Sequence, residues 1–264
     1  MGEPVKVERV DGVAKLILNR PEAFNALNLE MAEALAGITL SLAKDDAVSA
    51  LVFTGAGKAF FAGGDLKWMA GFPKGPAAAL HELAGRFHVA IQEIRRMKKP
   101  VIAAINGVAA GAGFSLALAC DFRVMARSAT MKQAYTSAGL SIDGGGTFTL
   151  PRLVGLARAL EIAAFDKTIS AEKALEWGLV TKVVEDQQVV EEAMTMAGEL
   201  AKISLHSFGW CKQLLTDSFD SSLETHLERE RRGISNCAGH PDGREGIKAF
   251  LEKRKPNFGK TSKS

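Results

Sequence analysis

The sequence predicts an α/β fold: a mostly parallel sheet covered by helices, followed by a helical C-terminal part. Up to about Val189, short apolar runs alternate with stretches of helical periodicity, the order expected of βαβ units. Beyond that point the pattern is helical only. Composition agrees, because 47% of the 264 residues are hydrophobic, only 7% are aromatic, and 26 are glycine. Small side chains in such numbers suit helices packed closely on sheets. The expected division is an α/β core over residues 1–200 and a helical part over 201–264.

The elements follow in chain order. Val5–Val10 and Val13–Asn19 flank Asp11-Gly12, the dipeptide of a tight hairpin. Met31, Leu35, Ile38 and Leu42 recur at helical spacing over Asn28–Lys44. Ser49–Thr54 reads as a short buried strand. Leu80–Met97 reads as a long helix ending at Lys98-Lys99-Pro100. Val101–Ile105 and Phe122–Ala126 are further apolar strands, and between them a Gly/Ala stretch leads into a small-residue helix, Phe114–Cys120. Ser221-Ser222-Leu223-Glu224 fits a capping box. Pro241 suits the first turn of a helix, and Pro256 follows that helix's end. No long-period repeat or low-complexity segment is visible.

Charge and cysteine content exclude several classes. The 33 basic residues nearly balance the 30 acidic ones, which gives no basic face for nucleic acid or an anionic membrane. Cys120, Cys211 and Cys237 are odd in number and far apart, so neither a disulfide framework nor a zinc site is expected. The first residues, MGEPVKVERVDG, lack an apolar h-region, so no signal peptide is expected. Lys6 breaks the myristoylation pattern. Apolar stretches stop short of a membrane-spanning length. The expectation is a soluble, cytoplasmic protein.

Three glycine-rich segments carry the candidate chemistry, and none is a phosphate loop. In the first, Ala62-Gly63-Gly64-Asp65-Leu66-Lys67, Asp65 reads as a helix N-cap, or the Gly64 N–H reads as a donor to an anion. The second, Asn106 to Ser115, reads as tight helix–sheet packing or as backbone open to close ligand approach. The third places Asp143 before three glycines. As a turn residue it needs no further reason; as a partly buried carboxylate it would act as an acid/base. Elsewhere, His81 and His88 lie seven residues apart on one helix without acidic or cysteine partners, so no metal site is expected. His88, between Phe87 and Val89, has the setting of a packed core histidine. Ser115 lacks the GxSxG context of a hydrolase. Lys253-Arg254-Lys255 reads as a solvated helix end.

Together and in order, these segments resemble the crotonase (enoyl-CoA hydratase/isomerase) superfamily. The similarity runs from Leu16-Ile17-Leu18-Asn19-Arg20-Pro21 and Asn25-Ala26-Leu27 through AFFAGGDLKWM at 59–69, PVIAAINGVAAGAG at 100–113 and GLSIDGGGTFTLPRLVG at 139–155. It continues through AEKALEWGLVTKV at 171–183 to GREGIKAFLEKRKPNF at 243–258. The resemblance implies a spiral core of ββα turns and a C-terminal helical part used in assembling a homotrimer or a hexamer (a dimer of trimers). It implies an acyl-CoA thioester as substrate, with CoA carried by that substrate and no further cofactor. The oxyanion-hole N–H donors map to Gly64 and Ala112, and CoA contacts map to Ala62, Asp65, Leu66 and Lys67. Preorganised donors of this kind are worth about 3–4 kcal/mol each.

The resemblance also frames the reaction. The two glutamates of a hydratase would stand at Ser115 and Tyr135, and both carboxylates are missing. Asp143 stands where isomerases and aryl-CoA dehalogenases of the superfamily carry a catalytic aspartate. The chain is most similar to 1,2-epoxyphenylacetyl-CoA isomerase-like members, through Asn106–Gly113, Asp143 and Leu227-Glu228-Arg229-Glu230. The resemblance thus implies a CoA-thioester isomerase with Asp143 as proton shuttle. The alternatives are an enoyl-CoA hydratase, a dehalogenase-like hydrolase with Asp143 as nucleophile and His88 as base, and a non-catalytic binding protein. Phe72, Leu80 and Leu83 are expected to line the acyl pocket.

Overall fold

The computed structural model describes residues 2–258. A hairpin opens the chain: β1 (Val5–Val10) pairs antiparallel with β2 (Val13–Leu18). Asp11 and Gly12 both take positive φ, as a two-residue turn matching the strand twist requires. α1 (Leu29–Lys44) follows, capped by the Asn28 side chain, which accepts from the Met31 N–H.

Three strand pairs then build the core. β3 (Ala50–Gly55) leads into the short β4 (Ala59–Phe61), and the chain continues through α2 (Leu66–Ala70) and α3 (Gly75–Arg96). β5 (Val101–Ile105) leads into β6 (Val108–Ala110) and α4 (Ala112–Ala119). β7 (Phe122–Ala126) leads into β8 (Thr130–Lys132) and α5 (Gly146–Phe165). β9 (Ile169–Ser170), α6 (Ala171–Glu176), β10 (Lys182–Val184) and α7 (Val189–Leu200) complete the core. The first strand of each pair joins a six-stranded sheet, ordered β1-β2-β3-β5-β7-β10 and parallel from β2 onward. The three second strands, with β9 antiparallel at the edge, form a four-stranded sheet, β4-β6-β8-β9.

The chain therefore does contain a repeat, the ββα unit that the resemblance implied, although no long-period repeat is visible in the residues themselves. Its copies start at Ala50, Val101 and Phe122, and only the first carries two helices before the next strand. Unequal spacing and three-residue second strands hide such a unit from any fixed-period comparison.

Phe53, Phe60, Phe61, Phe87 and Phe114 are all but completely buried and fill the space between sheets and helices. All eight residues of α4 are buried, and five of them are Gly, Ala or Ser. A Cβ on Gly113 would run into the main chain of Phe61. α3 begins five residues earlier than periodicity suggested, with Pro76 in its first turn, where a missing N–H costs nothing.

α8 (Leu205–Asp217), α9 (Leu223–Gly239) and α10 (Pro241–Leu251) form the C-terminal helices. The cap of α9 is Ser222, whose side chain accepts from the Thr225 N–H, so the box read from Ser221 to Glu224 is displaced by one residue. Pro241 does open α10. Arg254, from the basic run, pairs with Glu245 and Glu252. Among the described residues no helix is long and apolar enough to cross a membrane.

Candidate active site

β4 and β6 are parallel neighbours, with Phe61 beside Ala109. The chain therefore leaves both strands at the same edge, and the segments 62–64 and 111–112 meet there. Two glycines make the meeting close enough. Gly63 has φ 100° and Gly111 φ 54°, regions that L side chains avoid. A Cβ on Gly111 would lie 3.2 Å from Gly63 Cα, and one on Gly63 would lie 3.1 Å from Ala110 O.

Two N–H groups are left without acceptors at this junction. Leu27 N–H donates to Gly63 O at 2.7 Å, and Asp65 N–H donates to Leu27 O at 2.9 Å. That parallel bridge turns the N–H of the intervening Gly64 away from Leu27. Ala112 opens α4, where an N–H has no acceptor within the helix. Among the described residues neither N–H takes part in a hydrogen bond. Both residues line one cavity of about 220 Å³.

The cavity walls are apolar apart from Tyr135 and Asp143. Leu80, Leu83, Ala84 and Phe87 face it from α3, and Met69 faces it from α2. Phe72, expected here, instead lines a separate hollow with His81, and its ring packs against Trp68. The four α3 residues fall at helical spacing, so periodicity could have found Ala84 and Phe87. Ala138 and Leu140 also line the cavity, and nothing in the sequence marked them.

Asp143 sits in a turn and presents a half-buried carboxylate. Its carbonyl accepts from Gly146 N–H at 3.0 Å, with Gly144 and Gly145 at positive φ. Tyr135 Oη donates to Asp143 Oδ1 at 2.6 Å. Burial, and then the charge of Asp143, pushes the Tyr135 phenol far above its ordinary pKa, so the phenol is neutral and able to donate. Ser115 Oγ lies 3.3 Å from Tyr135 Oη and donates to the Asp143 carbonyl at 2.7 Å. His88 Nε2 accepts from Gly144 N–H at 3.2 Å. The structure thus gathers Asp143, Tyr135, Ser115 and His88 around one turn, while His81 lies elsewhere.

The residues read as CoA contacts divide. Ala62 and Leu66 line the cavity, Leu66 with 67% of its surface exposed at the mouth. Lys67 is exposed in the first turn of α2. Asp65 is committed inward: its carboxylate accepts from Trp68 N–H at 3.1 Å and pairs with Arg20 at 2.9 Å. Burial alone would raise its pKa, but Arg20 and the Trp68 N–H outweigh that and hold it below the usual carboxylate value. The Asp65 side chain is the N-cap of α2.

An uncommitted pair of N–H donors and a carboxylate in one apolar cavity can do one thing well. The donors stabilise an oxyanion while the carboxylate exchanges a proton with a neighbouring carbon.

Residues 8–261 match the family described as enoyl-CoA hydratase/isomerase. The chain is 41% identical to the 1,2-epoxyphenylacetyl-CoA isomerase of Escherichia coli (strain K12) over 248 residues, covering 94% of this chain and 95% of that protein. It is 36% identical to the 4-chlorobenzoyl coenzyme A dehalogenase-1 of an Arthrobacter species, covering 94% and 91%. The crystal structure of an enoyl-CoA hydratase from Polaromonas sp. JS666 superposes with a TM-score of 0.88 at 36% identity, covering 96% of this chain and 98% of that one. Relatives named for three reactions thus share this fold.

Proposed function

The chain belongs to the enoyl-CoA hydratase/isomerase family, and we propose that within it the chain is a CoA-thioester isomerase. The thioester carbonyl oxygen sits against the Gly64 and Ala112 N–H groups. They stabilise the enolate that forms when a neighbouring carbon loses its proton. Asp143 takes that proton and returns it to another carbon. CoA arrives as part of the substrate, and this sequence of steps asks for no other group. The apolar walls suit an acyl group without charge.

One observation carries the choice of reaction: among the described residues, Asp143 is the only carboxylate lining the cavity. Ser115 and Tyr135 stand at the two hydratase glutamate positions. Gly144 and Gly146 pack closely on Ser115: a Cβ on Gly144 would lie 2.9 Å from Ser115 Cβ, and one on Gly146 would lie 2.8 Å from its Oγ. Water addition, which divides activation and proton donation between two carboxylates, has less support. A dehalogenase-like hydrolysis also has less, since the His88 Nε2 that would activate water already accepts from Gly144.

Asp143→Asn keeps the shape and removes the base. With a 3-enoyl-CoA or an epoxide-CoA, turnover falls by at least about a hundredfold, followed as isomer formation by chromatography. Undiminished turnover overturns the assignment. We also place the protein in solution as a homotrimer or a dimer of trimers in a reducing, cytoplasmic compartment. The free thiols of Cys120, Cys211 and Cys237 support that compartment.

A further inference from the structure

Three hydrogen bonds from side chains hold the turn that bears Asp143, and two of them grip a single peptide unit. That unit runs from the Asp143 carbonyl to the Gly144 N–H. Its oxygen accepts from Ser115 Oγ at 2.7 Å, from α4. Its N–H donates to His88 Nε2 at 3.2 Å, on α3. The plane is therefore tied at both polar ends by two helices. Holding the plane restricts rotation about the Asp143 Cα–C bond, and with it the directions in which the side chain can leave the main chain. Tyr135 then fixes the carboxylate itself by holding Oδ1.

The same turn leaves no slack. Gly144 is left-handed, with φ 58°. A Cβ there would lie 2.7 Å from Phe87 Cε1. Phe87, the residue before His88, lines the cavity with Asp143. Packing and the hydrogen bond thus press the turn against the same stretch of α3.

The direction of the bond settles the state of the ring. An imidazole nitrogen that accepts must be bare, so the neutral ring carries its proton on Nδ1. A nitrogen occupied in this way is not free to take a proton from substrate or water.

We propose that His88 is a positioning residue, held as the Nδ1–H tautomer, which together with Ser115 clamps the 143–144 peptide and so aims the Asp143 carboxylate. The proposal rests on the reading of Asp143 as the proton shuttle. It differs from a packed histidine, which an apolar side chain of similar size would replace, and from a reacting base, which no amide would replace.

Two substitutions in the full-length protein separate these. His88→Leu removes the acceptor. The expected result is a kcat lower by about tenfold to a hundredfold, the range for a misaimed reacting group, with KM within about threefold of wild type and a similar melting temperature. His88→Gln supplies an amide oxygen as acceptor, and kcat returns to within about fivefold of wild type. Nitrogen-15 NMR of labelled imidazole in the wild type shows Nδ1 protonated and Nε2 bare. Wild-type kcat in His88→Leu overturns the proposal. So does a well-folded His88→Gln as slow as His88→Leu, which would make the imidazole a reacting base. An Nε2–H tautomer overturns it as well, and that readout needs neither variant to fold. Should the wild type turn over no thioester while the NMR shows the Nδ1–H ring, the isomerase reading fails and the clamp stands.

Discussion

The Tyr135 phenol is nine-tenths buried and donates to Asp143 across 2.6 Å. Because burial and the adjacent carboxylate both oppose its ionisation, it donates at any working pH. Tyr135→Phe removes that donor and leaves the ring. The 143–144 peptide then stays held by Ser115 and His88, but the carboxylate gains rotamer freedom. We expect kcat to fall about tenfold, equivalent to about 1.4 kcal/mol of barrier, with KM changed less than twofold in steady-state assays. An unchanged kcat would mean that Oδ1 needs no partner. At this scale the sequence was partly legible. Asp143 stood out because a carboxylate preceded three glycines, yet a turn explained it equally well. Ala112 acquired a role only through the resemblance, and the Gly64 N–H had been one of two open readings, since a backbone N–H has no letter of its own. What no pattern revealed was partnership: Gly144 to His88 spans 56 positions, and only the fold joins them. Asp65 shows the reverse case, where the plain reading as a helix cap is seen in the structure, one carboxylate oxygen capping α2 while the other pairs with Arg20.

Among elements, α8 shows how the C-terminal helices attach to the rest. Lys212, with 5% of its side chain exposed, sends Nζ to the carbonyls of Ile94 and Lys99 and to Asp121 Oδ2 at 2.7 Å. Burial lowers its pKa, and Asp121 opposes that shift. On the other side of this pair, Asp121 accepts from Val101 N–H at the head of β5. One ammonium thus ties α8 to the end of α3 and the start of β5. Lys212→Met leaves the buried Asp121 with only the more distant Arg95 guanidinium, 4.0 Å away, and breaking such a buried pair costs about 3–5 kcal/mol. Urea or thermal unfolding measures the loss, and a change below about 1 kcal/mol would show that the pair is solvated. Gly209 explains the close fit beside it, since a Cβ there would lie 2.6 Å from Lys98 Cβ. The long strands and helices of the core were legible because apolar periodicity marks them. The short second strands were not, because two or three residues carry no period. They read as glycine-rich loops, although they are what brings Gly64 and Ala112 together.

At the scale of the whole molecule, large apolar side chains lie exposed on α5, α9 and α10. Leu223, Leu227 and Ile234 on α9 are 69%, 52% and 71% exposed. Their spacing of four and then seven residues puts them in one stripe along the helix. Phe250 on α10 is 83% exposed, and Leu156 and Leu160 on α5 repeat the pattern at a spacing of four. Stripes at helical spacing ordinarily face a partner, and large exposed apolar patches mark association surfaces. The expected partners are copies of this chain, in the trimer or hexamer proposed above. Leu227→Glu combined with Ile234→Glu places two charges in the α9 stripe. Burying either charge without a counterion costs more than the interface gains there. Light scattering after size exclusion should therefore move from the mass of the assembly towards that of a single chain, with far-ultraviolet circular dichroism unchanged. A wild-type protein that runs as a monomer would remove this reading. A double variant that keeps the assembled mass would move the interface away from α9. Neither result would touch the cavity, whose described lining comes from residues between Leu27 and Asp143 of one chain.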